Sequence, residues 1–209
     1  MAKLNANKGN ALTGLVGEVV FSNWKGKPIV KSKPLKSSRP PSEKQLFQRA
    51  KMHAVMEFLR PYRLVVNRYF DLQPPENTLH NLANSYYLNH ALSLDGTTIN
   101  ISLDKVILSK GGLRGVENPE LTVLDSGDMR LSWLYTPDEA GTHPDDMLYV
   151  ALYAPETPSG MLFTQLATRQ DGEAIIPLQP PYNTTEIHLW AGFIAHDGSQ
   201  ASWSVYVKG

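Results

Sequence analysis

Met129-Arg130-Leu131-Ser132-Trp133-Leu134-Tyr135 decides how this chain is read. Met129, Leu131, Trp133 and Tyr135 alternate with Arg130, Ser132 and Leu134, the period of a strand with one face inward. The alternation returns at Leu148, Val150 and Leu152 against Tyr149, Ala151 and Tyr153. It appears again at Ile187, Leu189, Ala191 and Phe193, and at Ala201, Trp203, Val205 and Val207. Turn chemistry such as Asp197-Gly198 separates the runs. About six or seven short strands over roughly 90 residues, beginning after Asn118-Pro119, predict a β-sandwich with Trp133 in its core. The chain has no cysteine, so a fibronectin type III-like arrangement is expected over 117–209 rather than a disulfide-pinned immunoglobulin domain.

Upstream the texture is mixed. Residues 15–24, rich in β-branched and aromatic types, a turn at Lys25-Gly26-Lys27 and an extended run from Pro28 to Lys33 predict a β-hairpin. A basic, proline-punctuated connector over 34–41 leads to Ser42 and Gln45, spaced as a capping box. Phe47, Ala50, Ala54 and Phe58 then recur at helical spacing, with a break expected near Pro61. A further helix is predicted over 78–92, followed by a turn at Asp95-Gly96 and strand spacing at Ile99, Ile101 and Leu103. The expected organisation is therefore an α+β region, 1–116, followed by the all-β sandwich, 117–209.

The formal charge of zero conceals segregation. The first 70 residues hold 14 of the 20 Lys and Arg but only 3 of the 20 Asp and Glu, about +11 against −11 for the remainder. Such asymmetry points to an anionic partner or to self-association. Without cysteine there is no thiol nucleophile, disulfide or cysteine-bound metal. No apolar run approaches the ~20 residues of a membrane span, and no apolar segment follows the first lysines as in a secretory signal, so a cytoplasmic location is expected.

The run Gly14-Leu15-Val16-Gly17-Glu18-Val19-Val20-Phe21-Ser22-Asn23-Trp24-Lys25-Gly26-Lys27, with Pro41-Ser42-Glu43-Lys44-Gln45 and Gln48-Arg49-Ala50-Lys51, resembles a family of uncharacterised bacterial proteins common in the Bacteroidota. Asn84-Ser85-Tyr86 and Val106-Ile107-Leu108-Ser109-Lys110-Gly111 extend the likeness over most of the chain. The W-K-G front motif is also similar to that of uncharacterised phage and prophage proteins. The resemblance implies kinship and, for phage-derived members, association with a virion; it implies no catalytic residues.

Motifs of chemistry are sparse. The six histidines, His53, His80, His90, His143, His188 and His196, form no H-E-x-x-H or other close ligand pair and read as packing or surface residues. Asp145-Asp146 and Asp138-Glu139 read as a solvated acidic loop, with a hard cation as the alternative. Asp171 and Asp197 precede glycines and read as turn residues. There is no G-x-S-x-G, P-loop or dinucleotide fingerprint, and Gly111-Gly112-Leu113-Arg114-Gly115 reads as a loop rather than an anion cradle. No enzyme activity, cofactor, metal or small-molecule substrate is expected.

Two surfaces remain. Lys25, Lys27, Lys31, Lys33, Lys36, Arg39, Lys44, Arg49 and Lys51, with Trp24 beside the first of them, form a cationic stretch suited to an acidic protein surface or to nucleic-acid phosphates. Trp190 and Ile194 share a strand face opposite Leu189 and Phe193. That face is an apolar docking surface unless the chain's own front half covers it. The expectation is a non-catalytic structural or interaction protein, a self-assembling component of phage-like ancestry, that uses its basic front to contact protein, its own copies or others. Nucleic-acid binding through the same residues is the alternative, and no membrane partner is expected.

Overall fold

Gly17 turns the chain at φ +59°, a conformation that glycine adopts without steric cost, so the run expected as one strand over 15–24 is two strands. The structure, a computed structural model, describes residues 3–4, 12–24, 27–35, 39–71, 78–137, 140–157, 160–178 and 186–208. Strands β1 (Lys3–Leu4), β2 (Leu12–Val16), β3 (Val19–Trp24) and β4 (Lys27–Ser32) form an antiparallel sheet in the order β1-β2-β3-β4. The expected hairpin is thus β3–β4 with β2 added; of its turn, Lys25 and Gly26 lie outside the described residues. The chain divides into two compact units, 1–45 and 46–209. The boundary expected at 116/117 lies inside the second, for a reason visible in its packing.

Helix α1 (Glu43–Leu59) opens with the predicted capping box. The Ser42 N–H donates to Gln45 Oε1 at 3.0 Å, and the Gln45 N–H to Ser42 Oγ at 3.4 Å. Pro61 falls in a 3₁₀ turn over Arg60–Tyr62, after which α2 (Arg63–Tyr69) continues. Helix α3 (Leu79–Tyr86) is capped by Thr78, whose hydroxyl accepts from the Asn81 N–H, and runs into a π-helical turn over Tyr87–Ala91. The hairpin β5 (Leu92–Asp95) and β6 (Thr98–Ile101) follows.

The remaining strands are β7 (Glu120–Val123), β8 (Met129–Ser132), β9 (Met147–Tyr153), β10 (Met161–Phe163), β11 (Glu173–Ile176), β12 (His188–Ile194) and β13 (Val205–Lys208). They make two antiparallel sheets, β11-β8-β7 and β10-β9-β12-β13. Met129 and Leu131 of β8 and Ile176 of β11 share one buried cluster with Leu148, Val150 and Leu152 of β9 and Leu189 and Phe193 of β12. That cluster is the core the alternation foretold.

The opposite face of the larger sheet is buried as well. Tyr149 and Ala151 of β9 and Trp190 of β12 belong to a second cluster with Val55, Leu59, Tyr62, Val65 and Val66 from the first helical segments, and with Ala83, Tyr87 and Leu108. The helices of 46–91 therefore roof the sheet, and each large apolar side chain fully removed from water there contributes about 1.5–3 kcal/mol. This shared core explains why no division falls at 116/117. It also explains why β9 and β12 are buried on both faces rather than one.

The segment 106–116, legible only as a loop in the sequence, clamps helices to sheet. The Leu108 N–H donates to Ser204 Oγ, the Ser204 N–H to the Ser109 carbonyl and the Lys110 N–H to the Tyr69 carbonyl. Gly111 passes so close to β12's return that a Cβ there would stand 1.8 Å from the Ala201 carbonyl oxygen.

Candidate interaction surfaces

Among its described residues the N-terminal sheet has no interior. None of the described residues over 13–45 is buried, and all six residues of β4 are exposed. The register sorts its side chains, because directly paired residues project to the same side. One side carries Leu15, Val20 and Lys31 in one row, then Ser22 and Ile29, then Trp24 opposite Lys27. The other carries Val16, Val19 and Ser32, then Gly14, Phe21 and Val30, then Asn23 and Pro28. One side is thus cationic and aromatic, and the other apolar, with Val16 52% and Val30 60% exposed.

Of the basic residues singled out in the sequence, the structure sets Lys27 directly opposite Trp24, itself 61% exposed, and Lys31 on the same side of the sheet two rows away. Lys33 follows β4, and its N–H donates to the Glu18 carbonyl at 2.8 Å. Arg39 lies exposed in the connector and Lys44 in the first turn of α1. Lys25 and Lys36 lie outside the described residues. In the second unit Arg49 is exposed, while Lys51 is half-buried with its ammonium 4.8 Å from the centre of the Phe47 ring. Phe21, Ile29 and Val30 were not singled out as contact residues; Ile29 and Val30 are adjacent, so no alternation in the sequence marks the two faces they occupy.

The docking surface expected at Trp190 and Ile194 is corrected. Trp190 is fully buried, with Phe58 of α1 packed edge-on at 6.2 Å between ring centres, and Ile194 packs against the same cluster. The chain's own helices cover that face.

The second unit groups several polar residues that the sequence scatters. Asp146 is no solvated loop residue. It is buried and accepts from Arg169 Nε at 3.1 Å, from the His143 N–H at 2.9 Å and from the His196 N–H at 3.3 Å. Arg169 is buried with it, against the Phe193 ring at 3.8 Å, and burial lowers its pKa while Asp146 opposes the shift. Asp138 and Glu139 lie outside the described residues. The His143 and His196 rings stack over Asp146, 4.0 Å apart at 24°. Nitrogen lone pairs lie in the ring plane, so those of stacked rings run side by side rather than converging on one ion, which needs each nitrogen at about 2.0–2.1 Å. The Asp146 carboxylate is also already committed to three donors. The trio His143, Asp146 and His196 is accordingly a structural knot.

His188, also buried, has Nδ1 2.6 Å from the Tyr206 hydroxyl and Nε2 3.3 Å from a Glu186 carboxylate oxygen. Asp171 accepts from the Thr168 hydroxyl and N–H, both at 2.7 Å, and Asp197 from the Ser199 N–H, the turn roles expected of them. The Lys110 ammonium sits over three rings, Tyr86 at 4.6 Å, Phe70 at 4.9 Å and Trp203 at 5.5 Å.

One concavity of about 360 Å³ lies in the second unit between the end of α1, β6 and the chain following β9, over Phe58, Ile101, Leu103 and Tyr153. Glu57 and Arg60, paired at 3.2 Å, stand on its rim. Among the described residues no helix is long and apolar enough to cross a membrane.

These features define a mixed protein of antiparallel sheets and helices, with an N-terminal sheet in which no described residue over 13–45 is buried. The family of unknown function DUF6266 matches residues 11–208, and the chain belongs to it. No curated protein and no solved structure matches the chain.

Proposed function

We propose that the protein is a non-catalytic assembly component whose N-terminal sheet is its contact surface and whose partner is another copy of itself. The observation that carries this reading is the sheet β2–β4. It exposes Val16, Ile29 and Val30 and buries none of the residues described over 13–32, whereas small sheets are stable in water only when a face is covered. Charge supports a second copy as the cover. Residues 1–45 hold nine Lys and Arg against two Asp and Glu, a formal +7, and the second unit carries the compensating −7. The likeness of the W-K-G front motif to uncharacterised phage and prophage proteins fits the same reading.

We read the second unit's strands as a fibronectin type III-like sandwich. The support is the strand order over β7–β13: the first, second and fifth of these seven strands form one sheet, β11-β8-β7, and the others form β10-β9-β12-β13. Such a domain serves as a scaffold, and fold alone assigns it no chemistry.

Light scattering after size exclusion, at low and high salt, tests the proposal. Oligomers that dissociate with salt and with the pair Lys27→Glu and Lys31→Glu are expected; a monomer at every concentration and salt overturns it. The pairing of Trp24 with Lys27 favours a second reading, nucleic-acid binding by stacking and phosphate contact. Co-elution of a monomer with mixed-sequence DNA at low salt only would put that reading first.

A further inference from the structure

The groove beside Phe58 has a strand edge along it. Ile99, Asn100 and Ile101 all line it, and because successive strand side chains point to opposite sides, three in a row place the backbone edge of β6 against the groove. Among the described residues β6 is hydrogen-bonded only to β5, so this edge offers unpaired N–H and C=O groups next to an apolar floor. Glu57 on the rim is paired with Arg60, which leaves two exposed carboxylates flanking the site in sequence, Asp104 after Leu103 and Glu156 between Pro155 and Thr157. Of the nearby cations, Arg60 is held by Glu57, and Lys105 is exposed.

We infer that this groove receives strand β4 from a second copy, added edge-on to β6; the inference rests on the assembly reading above. Among the described residues β4 is the outer strand of its own sheet and has one open edge, and its six exposed residues suffice to span the four of β6. Ile29 and Val30 supply apolar side chains for the two sides of the extended sheet, and Lys27 and Lys31 meet the carboxylates. Lysines on an exposed edge reject pairing with a copy of the same edge. An edge flanked by acids accepts them, which makes the contact head-to-tail, and repeated contacts of that kind grow rings or filaments.

The absence of native cysteine makes the test direct. Val30→Cys protein is mixed with mass-tagged Asn100→Cys protein under mild oxidation, and the hetero-disulfide is quantified. The control partner is Leu64→Cys, on an exposed position of α2. The inference expects the Val30–Asn100 species severalfold above the Leu64 control, falling with salt. Salt-sensitive oligomers without that enrichment overturn the groove while leaving the assembly reading intact. Wild-type protein that stays monomeric overturns both.

Discussion

The Tyr149 hydroxyl lies 2.5 Å from Ser109 Oγ, and Ser109 Oγ in turn donates to the Ser202 carbonyl at 2.6 Å. Because the serine proton is committed to Ser202, the phenol is the donor between Tyr149 and Ser109. A buried chain of hydrogen bonds thus joins the middle of β9 to the clamp segment and to the approach to β13. Tyr149→Phe breaks it and leaves Ser109 short of a donor; the expected cost is about 1–3 kcal/mol, measured by urea denaturation. The double variant with Ser109→Ala is expected to cost less than the sum of the singles.

The same burial acts on ionisation. Desolvation by burial, the largest cause, pushes the phenols of Tyr149 and Tyr87 above the ordinary tyrosine range. Both groups hold their protons more tightly folded than unfolded. Their contribution is full below the unfolded value near pH ~10 and is lost as pH rises above it. Spectrophotometric titration should show tyrosines that ionise only with alkaline unfolding, and a native-state titration of all nine at one ordinary midpoint would contradict the packing.

Gly111→Ala drives a methyl group onto the Ala201 backbone, which no side-chain rotation relieves. A loss of about 2–4 kcal/mol is expected, typical of the larger single-residue effects. Gly115→Ala is the control, since a Cβ there meets nothing nearer than 3.6 Å. Equal melting temperatures for the two variants would show that the clamp yields.

Arg169 lies between Asp146 and Phe193 and also donates to the Arg114 carbonyl at 2.8 Å. Arg169→Ala leaves a buried carboxylate with one fewer cation and should cost about 3–5 kcal/mol. Adding Asp146→Asn to that variant should restore part of the loss, a coupling that a double-mutant cycle measures directly.

The Asp171 carboxylate is held below the ordinary aspartate range chiefly by the Thr168 hydroxyl and then by the Thr168 N–H. A depressed carboxylate stabilises the fold above its unfolded value, and the contribution disappears as pH falls through the lower, folded value, below about pH 4. Asp171→Asn should therefore flatten the acid limb of a stability–pH curve and leave the limb above neutrality unchanged.

Legibility followed the physics of each element. β8 was readable because one face is wet, so Met129 and Leu131 alternate with exposed Arg130. β12 gave up its inner face, Leu189 and Phe193, but not the fate of Trp190, because a strand buried on both sides carries no sign of what covers it. The capping box of α1 was local and therefore visible. The Asp146–Arg169 pair joins residues 23 apart across a loop, and no spacing rule reaches that far. In the N-terminal sheet the basic residues were plain, whereas the two-sided sorting of Lys31 from Val30 required the register.

In the assembly proposed above, a sheet with no buried residue among those described over 13–45 would make the chain's front a gauge of its own abundance. Ordering each backbone residue costs about 1–2 kcal/mol, and an arriving copy would supply the offset, so order would follow mass action. Scarce copies would then offer proteases the first unit, and crowded copies would protect it. Surplus isolated chains would be the first trimmed, and trimming would remove the segment proposed to join them.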